Sequence, residues 1–310
     1  MTRAVDDNGD APRLVVVGSI GLDTVETPWD RRVDMLGGSV SYACAAASFF
    51  TRVGMVGVVG DDFSRSRRAI FTRMGIDLRG LRRARGRTFR WSGVYARNMD
   101  ERRTLATELN VFANFRPDLP PAYRRAPFLF LANIAPELQL HVLDQMERPR
   151  FVMADTMDLW IDTARPALDA LMARVDLMTL NESEARRLTG IHALPRAARA
   201  ILDRGPSHVL IKKGEHGSIL FGRDRIRLMP AFPLEDVHDP TGAGDTFAGG
   251  LMGRLAEGRS TGAAALRRAM LFGNVVASFG VEAFGLDRLR SLTPLEIEER
   301  AGLFRAMLRG

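Results

Sequence analysis

Short apolar segments alternate with helical patterns along most of this 310-residue chain, and this alternation constrains the fold more than any other feature. Strands separated by helices predict a mostly parallel sheet covered by helices on both faces. The predicted strands are residues 14–20, 53–60, 128–134, 150–155, 175–180 and 208–214. The predicted helices include residues 39–50, 65–74, 245–257, 262–279 and 293–308.

One region departs from this alternation and predicts a small β insertion. Residues 87–109 are rich in threonine, aromatic and β-branched side chains, alternate in polarity, and contain a turn signal at 98–101. This pattern is typical of a hairpin. Residues 23–36 predict a second short β segment. We therefore expect one α/β domain over residues 1–310, with a β insertion built from about 22–36 and 85–113.

The charge of the chain is a weak guide to its partners. The formal net charge is +7, but lysine occurs only at Lys212 and Lys213, and every other basic residue is arginine. Such a ratio indicates a general preference for arginine rather than a nucleic-acid patch. We expect no nucleic-acid partner.

Cysteine usage and hydropathy narrow the class further. The single cysteine, Cys44, excludes an intrachain disulfide and a cysteine-built zinc site, and its alanine-rich helix predicts a core position. No apolar run approaches the ~18 residues of a membrane span. The first residues lack the apolar segment of a signal peptide. We expect a soluble, cytoplasmic protein without a membrane partner.

The segment HDPTGAGDTFAGG (238–250) carries the strongest chemical signal. Its glycines predict a tight loop before a helix that begins at about Asp245, so the N–H groups of Gly242, Ala243 and Gly244 converge at a helix N-terminus. Such a place binds anions. The same positive field is expected to keep the Asp245 carboxylate ionised, as a general base requires. The pattern predicts phosphoryl transfer. In the alternative interpretation, Asp245 is only an N-cap and the glycines only form a turn.

This segment resembles the C-terminal signature of the ribokinase, or PfkB, family of carbohydrate and nucleoside kinases, and the resemblance covers nearly the whole chain. It implies a ribokinase-like three-layer sandwich with a small β lid over the phosphate acceptor. It implies an ATP-dependent kinase that transfers the γ-phosphate of MgATP to a hydroxymethyl group of a sugar. In that family the last Asp of the signature is the catalytic base, which is Asp245 here, and the anion hole maps to Gly242, Ala243 and Gly244.

Other segments resemble the family's substrate and metal motifs. GGSVSYACAAASFF (37–50) lies where the family has a two-glycine motif that contacts the acceptor, and Asp23 aligns with an Asp that binds acceptor hydroxyls. The implied acceptor residues are Asp23, Gly37, Gly38, Ser39 and Tyr42. LNESE (180–184) matches the family's N-x-x-E, which implies that Asn181 and Glu184 act near Mg²⁺ through water. The same residues also form a good capping-box sequence.

The resemblance also implies a nucleotide site. KKGEHG (212–217) resembles the turn beside the nucleotide phosphates, and residues 271–280 resemble the helix that borders adenine. The implied contacts are Lys212, Gly214, Gly217 and Asn274. Successive strand residues face opposite sides of a sheet, and we expect Lys212 rather than Lys213 to face the nucleotide. Asp239 and Thr241 match positions that touch a monovalent cation such as K⁺ in many relatives.

Departures from the family pattern bear on the acceptor. Ribose kinases usually carry G-G-K-G-A-N, whereas Ser39 and Tyr42 replace the Lys and the Asn here, and Gly21 replaces another acceptor-binding Asn. The missing Lys predicts an acceptor that is uncharged or carries a carboxylate, not a phosphosugar, although Arg90 or Arg97 of the hairpin could supply a charge. A ribonucleoside kinase remains an alternative. A nucleotide-binding protein without turnover is a second alternative, against which the intact Asp245 argues.

The predicted hairpin also suggests an oligomeric state. Its strands have unpaired edges, and members of the family often join their lids. Phe89, Trp91 and Tyr95 predict apolar surface on one side of the hairpin. We expect a homodimer through the lid.

Overall fold

The computed structural model describes residues 11–99, 102–258 and 260–309, which form two sheets and their covering helices. The strands are β1 (Leu14–Val17), β2 (Gly21–Glu26), β3 (Arg31–Gly37), β4 (Val53–Val59), β5 (Asp77–Arg83), β6 (Phe89–Tyr95), β7 (Arg102–Glu108), β8 (Phe128–Leu131), β9 (Phe151–Asp155), β10 (Leu177–Asn181), β11 (His208–Lys212), β12 (Ser218–Gly222) and β13 (Ile226–Met229). The α-helices are α1 (Ser39–Ser48), α2 (Arg65–Arg73), α3 (Pro136–Leu143), α4 (Asp158–Thr163), α5 (Arg165–Met172), α6 (Glu182–Thr189), α7 (Leu194–Leu202), α8 (Ala243–Glu257), α9 (Ala263–Gly280), α10 (Asp287–Ser291) and α11 (Pro294–Met307).

The larger sheet has nine strands in the order β13-β12-β11-β10-β9-β8-β1-β4-β5. All neighbours from β11 to β5 pair in parallel, and only β12 and β13 are antiparallel. Its inner strands are buried on both faces because helices cover both. One core contains side chains of α1, α8 and α9, and the other contains side chains of α3, α5, α6 and α7. The predicted three-layer α/β architecture is confirmed.

The second sheet is the predicted β insertion, and we call β3-β2-β6-β7 the lid. β2 pairs in parallel with β6, while β3 and β7 form the two edges. The predicted turn at 98–101 includes residues 100 and 101, which lie outside the described residues. β2 begins only a few residues after β1, so the lid starts directly at the carboxyl end of a central strand.

The start of α8 differs from the sequence-based expectation. The helix begins at Ala243 rather than Asp245, and its N-cap is Gly242, with φ +73° and no side-chain cap hydrogen bond. Asp245 is therefore the third residue of the helix, and the interpretation of Asp245 as an N-cap is wrong. Cys44 is buried in α1, as expected. Among the described residues, no helix is long and apolar enough to cross a membrane.

Candidate active site

The loop before α8 presents backbone N–H groups. Gly242 adopts positive φ, and a Cβ at this residue would overlap the ring of Tyr42, so only glycine fits. The Ala243 N–H donates to the Pro240 carbonyl at 3.1 Å. The structure records no partner for the N–H groups of Gly242 and Gly244 among the residues it describes. Two of the three predicted anion-hole groups thus remain available to a ligand, at the positive end of a 15-residue helix.

Asp245 lies one residue beyond this loop and is partly buried. Burial raises its pKa from 3.8 to about 7, and the neighbouring Asp155 carboxylate acts in the same direction, while Lys212 and Arg102 oppose the rise. Desolvation therefore opposes the helix field, which was expected to keep Asp245 ionised at neutral pH. A carboxyl group with a pKa near 7 is well matched to a general base.

Lys212 and Lys213 face opposite sides of the sheet. The Lys212 ammonium lies 2.8 Å from Asp155 Oδ2, and it lies 3.4 Å from the place that a Cβ on Gly244 would occupy. Lys213 instead pairs with Glu182 of α6 at 3.2 Å. Burial alone would lower the pKa of Lys212, but the Asp155 and Glu184 carboxylates raise it. Lys212 is therefore a charged group beside the loop.

Asn181 and Glu184 form the capping box of α6. The Asn181 side chain accepts from the Glu184 N–H at 2.8 Å, and Glu184 Oε2 accepts from the Asn181 N–H at 2.7 Å. Glu184 is also buried, and burial raises its pKa to about 7; Lys212 opposes this rise, while Asp155 and Asp158 add to it. Glu184 therefore caps α6 and also lies near Lys212.

The remaining predicted nucleotide residues lie on two other elements. Gly214 and Gly217 bound the short turn between β11 and β12, where the Lys213 N–H donates to the Gly217 carbonyl at 2.8 Å. Asn274 is buried in α9, and its side-chain NH₂ donates to the Met270 carbonyl at 3.1 Å.

Two glycines lie beside a buried carboxylate on the lid side. A Cβ at Gly37 would overlap Asp23 Oδ2, and a Cβ at Gly38 would overlap the Ser19 carbonyl. Asp23 Oδ1 is buried without a partner among the described residues. Burial raises the pKa of Asp23 to about 7, and Asp239 and Asp245 add to this rise. An unpaired buried carboxylate oxygen is costly unless a ligand completes it.

Ser39 and Tyr42, on α1, differ in what their hydroxyls do. Ser39 Oγ accepts from the Ser19 N–H at 3.1 Å and is buried, so it joins α1 to the end of β1. The Tyr42 hydroxyl is buried and has no partner among the described residues. Burial raises the pKa of Tyr42, and the nearby Asp23 carboxylate adds to the rise. The hydroxyl is therefore a neutral donor beside Asp23.

The lid contacts the loop through Tyr95. Thr241 Oγ1 donates to the Tyr95 hydroxyl at 3.2 Å, and Tyr95 is only 7% exposed. The expectation that Tyr95 contributes bare apolar surface is wrong, because its face of the lid turns toward the loop. Asp239 is also buried, and its two oxygens accept the N–H groups of Thr241 and Gly285.

Sequence reasoning missed two charged residues of this site. Asp155 ends β9 and holds Lys212. Arg102 stands directly opposite Tyr95 in the lid, and its charge lowers the pKa of Asp23 and Asp245. Its guanidinium lies over the Trp91 ring.

The two arginines suggested from the sequence lie elsewhere. Arg90 forms ion pairs with Asp34 and Asp62. Arg97 is exposed. Cross-strand pairing identifies Arg102 only once the register of the hairpin is known.

These groups define two halves of a site with Asp245 between them. One half holds open N–H groups and Lys212, which suit phosphates, together with Glu184, which suits a divalent cation. The other half holds Asp23, Tyr42 and Arg102, which suit hydroxyl groups. A model of the PfkB carbohydrate kinase family matches residues 21–291, so it spans both halves. The chain belongs to the PfkB family.

PfkB kinases of known activity are similar to this chain over most of its length. A cytidine kinase from Thermococcus kodakarensis is 31% identical over 253 residues, which cover 79% of this chain and 89% of that protein. The predicted class of enzyme, an ATP-dependent kinase with a sugar or nucleoside acceptor, is confirmed.

Solved PfkB-type structures share the fold. A nucleoside kinase from Methanocaldococcus jannaschii has a TM-score of 0.76 at 19% identity, covering 94% of this chain and 99% of that chain. An Arabidopsis thaliana ribokinase, solved with ribose and ATP, has a TM-score of 0.75 at 20% identity, with the same coverage.

Proposed function

We propose that this enzyme transfers the γ-phosphate of ATP to a hydroxymethyl group of a sugar. One observation carries the proposal: the loop before Asp245 reaches both sides of the site, because Lys212 Nζ lies 3.4 Å from a Cβ position on Gly244 and the Tyr42 ring would overlap a Cβ on Gly242. A base at this junction can receive a proton from a hydroxyl group that faces the phosphates.

The chain's own residues then have separable tasks. Asp23 accepts hydrogen bonds from acceptor hydroxyls through its unpartnered Oδ1, and the Tyr42 hydroxyl donates. Asp245 takes the proton of the attacking hydroxyl. The N–H groups of Gly242 and Gly244 stabilise the charge that develops on the transferred group. Lys212 binds the same phosphates as a point charge.

The described residues fit MgATP. The open N–H groups at α8 and the Lys212 ammonium match phosphate oxygens. Asp158 Oδ1 is buried without a partner among the described residues, and the charge of Asp158 raises the pKa of the nearby Glu184 carboxyl group. Mg²⁺ usually keeps several waters and takes one or two carboxylates plus substrate phosphates, so a water-mediated contact to Glu184 and Asn181 suits it. When bound, Mg²⁺ neutralises charge on the β- and γ-phosphates.

A ribonucleoside is a second candidate acceptor. The similarity to a cytidine kinase extends over 79% of this chain, and it favours an acceptor whose hydroxymethyl group belongs to a nucleoside. Asp23 and Tyr42 serve a free pentose and the ribose of a nucleoside equally. A phosphosugar is disfavoured because three carboxyl groups, those of Asp23, Asp239 and Asp245, lie on the acceptor side, and Arg102 offsets only part of their charge.

We further propose that the enzyme is a homodimer through the lid. Four large apolar side chains of the lid segments are exposed: Trp29 (61%), Val33 (57%), Leu105 (50%) and Leu109 (48%). Both edge strands, β3 and β7, present open backbone groups, and all residues of β7 are exposed. A second copy would cover this surface.

We also propose that a K⁺ ion binds near Asp239 and Thr241. Both carboxylate oxygens of Asp239 already accept N–H groups. Comparing kcat/KM in K⁺ with kcat/KM in Na⁺ tests whether the loop nonetheless holds a monovalent cation.

The test is a phosphorylation screen with purified protein, MgATP and a panel of free pentoses, hexoses, sugar acids, phosphosugars and ribonucleosides. ADP release is measured for each acceptor, and ³¹P NMR identifies the phosphate ester. We expect a phosphomonoester on a hydroxymethyl group. Asp245→Asn, prepared identically, shows whether activity comes from a contaminant. Absence of acceptor-dependent ADP release across the panel would contradict the proposal.

A further inference from the structure

Asp155 is a buried carboxylate that has no role in the reaction proposed for this enzyme. It is the last residue of β9, and its side chain is only 4% exposed. Oδ1 accepts the Thr156 N–H at 2.9 Å, and Oδ2 lies 2.8 Å from the Lys212 ammonium. Both oxygens are therefore engaged, one by the backbone and one by the lysine.

The sheet itself brings Asp155 and Lys212 together across an intervening strand. Asp155 is in register with Thr179 of β10, and Lys212 is in register with Asn181 of the same strand. Thr179 and Asn181 are two residues apart, so all four side chains lie on one face of the sheet. This is the face on which α8 packs, since Met153 and Leu210, two residues before Asp155 and Lys212, share a core with that helix.

The Lys212 ammonium lies beside the loop before α8 rather than in the core. The Lys212 ammonium lies 3.4 Å from a Cβ position on Gly244, whose N–H has no partner among the described residues. Lys212 is 18% exposed, whereas Asp155 is 4% exposed. An ammonium has three N–H donors. With Asp155 on its buried side, the other donors can turn toward the open side, where the loop is.

A lysine in this place needs a partner for two physical reasons. Its four-carbon stem is flexible, so an unrestrained ammonium loses conformational entropy each time it binds a phosphate. Burial also disfavours its charged form, and a fixed carboxylate restores the charge. Asp155, held by a backbone N–H, supplies both restraint and charge.

We propose that Asp155 is a positioning residue for phosphoryl transfer, which holds the Lys212 ammonium against Gly244 so that it meets the phosphates of bound nucleotide. This inference rests on the proposed function, because it needs the phosphates to lie at the α8 loop. A purely structural ion pair would contribute to stability but would leave nucleotide binding by the folded protein unchanged.

The first test compares ATP and adenosine binding by Asp155→Asn and the wild type, using calorimetry with a non-hydrolysable ATP analogue. We expect the dissociation constant of the analogue to rise about tenfold or more, as for loss of a charge-assisted contact, while adenosine binding stays within twofold. In turnover assays, kcat/KM for ATP should fall by a similar factor, with the KM of the acceptor unchanged.

A double-mutant cycle shows whether Asp155 acts through Lys212. If it does, Asp155→Asn combined with Lys212→Ala binds the analogue no more weakly than Lys212→Ala alone. The double variant leaves neither charge buried, so it keeps the test valid if Asp155→Asn alone does not fold. Multiplying effects would overturn the proposal.

The chain offers a matched control on the other face of the sheet. Glu182→Gln removes the partner of Lys213 in the same way that Asp155→Asn removes the partner of Lys212. We expect Glu182→Gln to leave analogue binding unchanged. If Asp155→Asn lowers the melting temperature but leaves analogue binding intact, the pair is only structural and the inference fails. Because analogue binding needs no acceptor, this outcome is separate from an inactive acceptor screen, which bears on the proposed function.

Discussion

Replacing Asp245 by asparagine separates its roles in catalysis and in stability. Asparagine keeps the shape of the side chain but cannot accept a proton from the acceptor. Loss of a general base typically lowers kcat by about 10²–10⁴-fold. The α8 N-terminus has no side-chain cap bond to lose, and the N–H groups of Gly242 and Gly244 remain in place. We therefore expect Asp245→Asn to bind ATP at least as well as the wild type while losing turnover.

The same change should stabilise the protein above neutral pH. A pKa raised from 3.8 to about 7 corresponds to about 4 kcal/mol of free energy that disfavours the ionised folded state. Asp245 keeps some exposure to solvent, so we expect between about 1 and 4 kcal/mol. The folded state holds this proton more tightly than the unfolded state, so the penalty is absent below about pH 4, grows as pH rises, and is complete above about pH 7.

The assay follows both consequences in the same preparations. Acceptor-dependent ADP release gives kcat, and thermal unfolding between pH 5 and pH 8 gives the difference in melting temperature between Asp245→Asn and the wild type. This difference should widen with pH by several degrees. Asp236→Asn, an exposed aspartate before the same loop, should show neither effect. A variant that retains more than about a tenth of wild-type kcat, or a temperature difference that stays flat with pH, would refute the reasoning.

Lys212→Ala should lower kcat/KM for ATP by about tenfold to a hundredfold, with at most partial recovery in Lys212→Arg, whereas Lys213→Ala should change it by less than about threefold. Tyr42→Phe should raise the KM of the acceptor about tenfold, because it removes a proposed hydrogen-bond donor to the acceptor. It should not lower the melting temperature, because this buried hydroxyl has no partner among the described residues. Fructose 6-phosphate and tagatose 6-phosphate should be poorer acceptors than the best unphosphorylated compound in competition assays. Light scattering at micromolar concentration should give twice the 34.3 kDa chain mass, and a value near one chain mass would exclude the lid dimer.

The sequence predicts the loop before α8 because local backbone geometry builds it. Gly242 of DPTGAGD adopts a conformation that only glycine fits, and the strand alternation predicts that Lys212 and Lys213 have different surroundings. The pKa of Asp245 could not be predicted in the same way. This pKa depends on how far the folded protein excludes water from the carboxyl group, and the local sequence does not determine that burial.

The contact between Asp155 and Lys212 could not be predicted from the sequence for a related reason. A single aspartate at the end of an apolar run is a common way to end a strand. The role of Asp155 depends on the strand order, because the arrangement β9-β10-β11 brings its carboxylate within 2.8 Å of the Lys212 ammonium. The usable signal was the shared edge: carboxyl ends of parallel strands meet on one side of a sheet, so charged residues there are candidates for one cluster.

The acceptor side is harder to predict because the lid supplies much of it. Period-two alternation shows that Trp91 and Tyr95 share a face, but not that this face turns inward, which is why Tyr95 was wrongly expected on the surface. Arg102 enters the site as the cross-strand partner of Tyr95, and that pairing depends on a register fixed by the hairpin turn. We therefore expect the choice of acceptor by this enzyme to depend on the lid register and on single positions such as Tyr42. The acceptor screen should accordingly be read together with the Tyr42 variant, which changes the acceptor side while leaving the α8 loop and Lys212 intact.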